Sequence, residues 1–142
     1  EALRELVEHA AGLQLCLHRA VDLVADGPGA VGTAIALGFD TVLTSGGAMT
    51  ALEGADRIAA MQERAGGRIE ILAGSGVTPD NAASLVAATG VTAVHASCSR
   101  TVTTDDLRAV RMGFTPEVVR ETDQNIVARL RHVLDLQQSE HG

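Results

Sequence analysis

The chain has 142 residues, enough for one domain with its own core, and its 46% hydrophobic and 20% charged residues are the mix of an ordinary globular protein. A formal net charge of −7 argues against nucleic acid and against an anionic membrane surface, and 1% aromatic residues, with no Trp or Tyr, leave little for base stacking and demand an aliphatic core. No apolar run approaches the roughly 20 residues that span a bilayer, and Glu1-Ala2-Leu3-Arg4-Glu5 has neither the basic nor the apolar region of a signal peptide. The expected location is therefore cytoplasmic, and the absence of an initiator Met suggests a fragment or a trimmed chain.

Taken in order, residues 1–11 read as a helix with Leu3, Leu6, Val7 and Ala10 on one face, stopped by Gly12. Leu13-Gln14-Leu15-Cys16-Leu17-His18 alternates strictly, as a strand does. Pro28 to Leu37 reads as a helix closed by Gly38, Thr41–Thr44 as a second strand, and Ala51 to Ala65 as a helix closed by Gly66-Gly67. Ile69–Leu72 is the third strand. Thr78 then serves as N-cap, with Pro79 at the first position, of a helix ending near Gly90. Thr92–His95 is the fourth strand, and the stretch from Pro116 to about Gln137 contains a long final helix. His9, His132 and His141 read as surface residues, and the three methionines as packing.

Four βα units in succession predict an α/β fold with a parallel sheet. Two architectures fit that order: a small doubly wound sheet, or four consecutive units of a (β/α)8 TIM-type barrel, a half barrel. Side-chain parity separates them. Leu13, Leu15 and Leu17 share one face, whereas Gln14, Cys16 and His18 share the other; Val94 and Ala96 oppose Ala93, His95 and Ser97. A doubly wound sheet is apolar on both faces, so one apolar and one mixed face favours the barrel. By the same parity Glu70 sits mid-strand and points inward, where a carboxylate needs a partner.

The strand ends carry a resemblance. Leu17-His18-Arg19-Ala20-Val21-Asp22 is similar to the F-H-R-A-F-D signature of strand five in the CutC family, which is named for copper homeostasis. Val42-Leu43-Thr44-Ser45-Gly46-Gly47 resembles its strand-six V-L-T-S-G-G, followed by Leu52-Glu53-Gly54; Ala73-Gly74-Ser75-Gly76-Val77 resembles its A-G-x-G-V, Val94-His95-Ala96-Ser97 its V-H-x-S, and Arg111-Met112-Gly113 its late M-G. Here Leu17 and Val21 replace the flanking aromatics, Cys16 stands where Thr is common, and what the family places on strands one to four has no counterpart in the chain. The resemblance implies one domain over 1–142, the C-terminal half of the barrel. A half barrel has two open sheet edges, so pairing of two copies, a homo-oligomer, is expected.

Barrel sites lie at the C-terminal ends of the strands. His18, Arg19, Asp22 and His95 are the candidates there for acid–base or orienting roles, although for Arg19 and Asp22 a local salt bridge is the alternative. Ser45, Gly46, Gly47, Gly74, Ser75, Gly76 and Ser97 are candidates for an anion cradle, with tight turns as the alternative explanation of the glycines. Copper, which the family name implies, suits soft donors as Cu(I), and Cys16, His18 and Cys98 are its candidate ligands; no CxxC pair is present. Two functions follow as expectations: copper binding in copper homeostasis, or a barrel enzyme acting on a small phosphorylated, anionic or sugar-like substrate. A copper ion or a small anion is the expected partner in either case.

Overall fold

The computed structural model describes residues Ala2–Glu140, apart from the side chains of Gln138 and Glu140; Glu1 and His141 lie outside the described residues. The chain forms two compact units, residues 1–96 and 97–142.

The first unit holds α1 (Ala2–His9), β1 (Cys16–Leu17), a 3-10 helix (Arg19–Leu23), α2 (Gly27–Leu37), β2 (Thr41–Thr44), α3 (Ala55–Ala65), β3 (Glu70–Gly74), α4 (Ala82–Thr89) and β4 (Ala93–His95). The four strands lie in chain order, β1-β2-β3-β4, and every pair is parallel. The register aligns Cys16 with Thr41 and Glu70, Leu17 with Val42 and Ile71, and Ala73 with Thr44 and Val94.

Burial follows that register. Val42, Thr44, Ile71 and Ala73 are buried, whereas their neighbours Thr41, Leu43 and Leu72 are half-buried and Glu70 is exposed. The covered face meets Val31 and Ala34 of α2, Ile58, Met61 and Ala65 of α3, and Ala82 and Leu85 of α4, all at most about a hundredth exposed. This core is aliphatic, as the composition requires, and each fully buried Ile or Leu contributes about 1.5–3 kcal/mol. A sheet covered on one face only, with strands in sequential order, is half of a (β/α)8 barrel and not a doubly wound sheet.

The predicted elements recur with shifted ends. β2 and the C-termini of α2, α3 and α4 fall where the pattern places them, because Gly38, Gly66 and Gly90 each take a left-handed C-terminal position. β1 is shorter than its alternation suggests: Leu15 spends its amide on the Asp40 carboxylate, and His18 already caps the 3-10 helix. α4 starts after Asn81 and not at Thr78, because the Asn81 side chain accepts from the Thr78 amide and donates to the Gly76 carbonyl, knitting 76–81 into a turn. Glu70 is the first residue of β3, not mid-strand, and its nearest polar neighbour is the Thr41 hydroxyl at 3.5 Å. α1 forms, but none of its residues is buried. His9 and His132 are exposed.

The second unit holds β5 (Ser99–Thr103), α5 (Leu107–Arg111), β6 (Val118–Thr122) and α6 (Gln124–Glu140). β5 and β6 pair antiparallel, with Val102 opposite Val119. The final helix matches expectation; the hairpin before it does not, because its strands are joined through α5 and lack a tight-turn signal. Asp123 fixes the junction: its amide donates to the Cys98 carbonyl, its Oδ1 accepts from the Asn125 and Ile126 amides, and Oδ2 pairs with Arg100 at 3.1 Å. Among the described residues no helix is long and apolar enough to cross a membrane.

Candidate functional site

The C-terminal ends of β1 and β2 meet around one carboxylate. The backbone leaves β1 at His18, whose Nδ1 accepts from the Ala20 amide at 3.2 Å and so starts the 3-10 helix. That helix presents Asp22 to the Thr44–Gly47 loop. Asp22 Oδ1 accepts from the Thr44 hydroxyl at 2.5 Å and the Gly47 amide at 3.0 Å; Oδ2 accepts from the Ser45 amide at 2.9 Å and Arg19 Nε at 3.1 Å. The Ser45 hydroxyl accepts from Arg19 Nη2 at 2.7 Å and has both Asp22 Oδ2 and the Ala48 carbonyl within reach of its own proton. Thr44 Oγ1 in turn accepts from the Gly46 amide. Burial alone would raise the Asp22 pKa, but the hydrogen bonds from Thr44, the Ser45 amide and hydroxyl, and Arg19 outweigh it and hold the carboxyl below its ordinary value.

The structure thus brings together Arg19, Asp22, Ser45, Gly46 and Gly47. It also shows what the loop's amides do: those of Ser45 and Gly47 face Asp22, and that of Gly46 faces Thr44. Gly46 and Gly54 are required by a chain crossing. A Cβ on Gly46 would lie 2.2 Å from the Gly54 carbonyl oxygen, and one on Gly54 2.0 Å from that of Ser45.

At the end of β3, Gly74 stands opposite His95 in register. Ser75 holds φ +87° without being glycine; its hydroxyl donates to the Met49 carbonyl, and its carbonyl accepts from the Ala51 amide. Gly76 packs against Thr50. His18 and His95 are both exposed. Cys16 is exposed and free on the uncovered face that also carries His18, one layer further from the rim, level with Thr41 and Glu70. Ser97 and Cys98 belong to the second unit, where Ser97 Oγ lies 3.0 Å from Ser99 Oγ and Cys98 is free, buried and at φ +46°. No group of three or more His, Cys, Asp or Glu side chains able to hold a metal ion occurs among the described residues.

The model of the CutC family matches residues 1–100. The chain belongs to the CutC family. A CutC family protein of Caulobacter vibrioides is 50% identical over 130 residues, 90% of this chain and 53% of that protein. One from Rhizobium meliloti is 45% identical over 133 residues, 94% and 54% of the two chains. The chain therefore spans about half the length of the curated relatives it matches. A solved structure from Streptococcus agalactiae, provisionally described there as a copper homeostasis protein CutC, superimposes with a TM-score of 0.59 at 33% identity, covering 65% of this chain and 48% of that one.

The family model's match ends within a few residues of the boundary between the two units, whereas the alignments with the relatives, at 130 and 133 residues, extend into the second unit. Gly54 and Arg57 complete the neighbourhood of Asp22 but escape a reading of strand-end motifs as a ligand site. Gly54 reads as part of the helix predicted over Ala51–Ala65, which in the structure starts only at Ala55. Arg57 reads as one charge on a helix surface, yet it donates to the Val24 carbonyl and packs over Gly27 and Gly47.

Proposed function

We propose that this chain serves copper homeostasis in the cytoplasm by holding Cu(I) as cargo on the uncovered face of its sheet, with the Cys16 thiolate and His18 Nε2 as donors. The observation that carries this reading is the placement of an exposed, free thiol and an exposed imidazole two residues apart on one open strand face. His18 Nδ1 is engaged by the Ala20 amide, which leaves Nε2 as the metal-facing nitrogen. Thiolate is the donor that selects Cu(I), an ion content with few ligands, and cytosolic thiols stay reduced. Family membership supports the copper connection. Cys98 is the third candidate donor; it is free and buried.

An anaerobic Cu(I) competition titration against a coloured chelator tests the reading, with circular dichroism as the check on folding. Stoichiometric binding lost in Cys16→Ser and weakened in His18→Asn is expected. Folded wild-type protein that takes no copper, or binding untouched by Cys16→Ser, overturns it.

A second reading, an enzyme for a small anionic or sugar-like substrate with His18 and His95 as proton carriers, draws on Ser75: a non-glycine residue held at φ +87° on a barrel rim is the kind of strain that clusters at ligand sites. Saturable stabilisation of the folded chain by inorganic phosphate or a sugar phosphate would favour it.

A further inference from the structure

Asp22 is held in a manner that a salt bridge does not require. Each carboxylate oxygen meets its own pair of donors: Thr44 Oγ1 and the Gly47 amide on Oδ1, the Ser45 amide and Arg19 Nε on Oδ2. Two backbone amides from the same left-handed turn, in which Gly46 and Gly47 hold φ +69° and +76°, form the concave nest that binds anions in proteins. The two hydroxyl-bearing residues that complete it, Thr44 and Ser45, are fully buried. Four of these five residues sit on one rigid loop. That loop is pinned where Gly46 and Gly54 cross and where Ser45 reaches the Ala48 carbonyl, so its donors, those of Thr44, Ser45 and Gly47, stay in place independently of Asp22, whereas Arg19 shares the 3-10 helix with it.

We infer that the Thr44–Gly47 loop with Arg19 is a preformed receptor for a planar carboxylate, and that Asp22 is its tethered ligand. The chemical class follows from the geometry, since the donors are split between two oxygens in the way a carboxylate presents them. Tethering gives Asp22 a high effective concentration, so a free carboxylate does not compete with it in the wild-type protein. Asp22 also belongs to the 3-10 helix that His18 caps and from which Arg19 projects. A carboxylate-bearing ligand that entered the receptor would have to displace Asp22 and thereby unpin the segment carrying His18. This assignment takes Asp22 out of the candidates for proton transfer and does not depend on whether copper binds.

The test removes the tether and supplies the ligand from outside. Asp22→Ala and wild type are titrated with sodium formate, with sodium chloride at equal ionic strength as the reference, reading the thermal midpoint and the far-ultraviolet dichroism. The midpoint of Asp22→Ala should rise saturably in millimolar formate and not in chloride, while wild type responds to both salts alike. If Asp22→Ala is unfolded in chloride, formate should restore the native spectrum. A folded variant that does not distinguish formate from chloride, or an unfolded one that neither salt recovers, overturns the inference, as does an equal formate response in wild type.

Discussion

Asp22 shows how one side chain can tie sequence-distant strand ends together, and its chemistry sets a pH dependence. Its folded pKa is depressed, so the carboxylate adds stability above the unfolded value of about 3.9 and loses it as the pH falls through the folded value. The expected outcome is a wild-type denaturant midpoint that drops below about pH 4, and a shallower acid limb in Asp22→Asn. At neutral pH Asp22→Asn should cost about 2–3 kcal/mol, because an amide nitrogen would then face donors and not acceptors. Equilibrium urea unfolding across pH reads both quantities; parallel acid limbs would mean that the folded Asp22 carboxyl is not depressed. In sequence, Arg19 and Asp22 three apart suggest a local ion pair, and that pair exists at 3.1 Å. What spacing does not reveal is that Thr44, Ser45 and Gly47, more than twenty residues downstream, supply the other donors.

At the scale of elements, the glycines divide by cause. Gly90 closes α4 at φ +68° with nothing within 4 Å of where a Cβ would stand, so Gly90→Ala pays only for the left-handed backbone, about 1–2 kcal/mol. Gly54→Ala would drive a Cβ to 2.0 Å from the Ser45 carbonyl and should cost roughly 3 kcal/mol or more, with loss of the Thr44–Gly47 loop geometry. Urea midpoints of the two variants check the order, and equal costs would contradict the chain crossing. In sequence Gly90 reads as the end of a helix and Gly54 as part of one; neither reading reveals the crossing. The same limit explains α4, where Thr78-Pro79 is a sound start signal that the Asn81 side chain overrides by closing a turn first. It also explains β5 and β6, whose pairing depends on partners separated by a helix.

At the scale of the molecule, β1 and β4 end the sheet, and on the face that the helices of the first unit leave uncovered Leu43 and Leu72 are only half-buried. Unpaired edges invite further strands. The expected outcome for the isolated chain is association, with a mass by light scattering that is a multiple of 14.7 kDa. A monomeric mass with intact dichroism would remove pairing between copies.

The sequence by itself determined the succession of helices and parallel strands, the aliphatic core, the family, and which residues stand at strand ends. These depend on local periodicity, capping glycines and short motifs, which neighbouring residues carry within one segment. Only the tertiary structure decided that one sheet face is covered, that Cys16 lies a layer away from the rim, and that the polar loop after β2 is filled by Asp22. Those outcomes depend on register and on donors brought together across the chain, and no local pattern encodes which of several possible partners a polar group will meet.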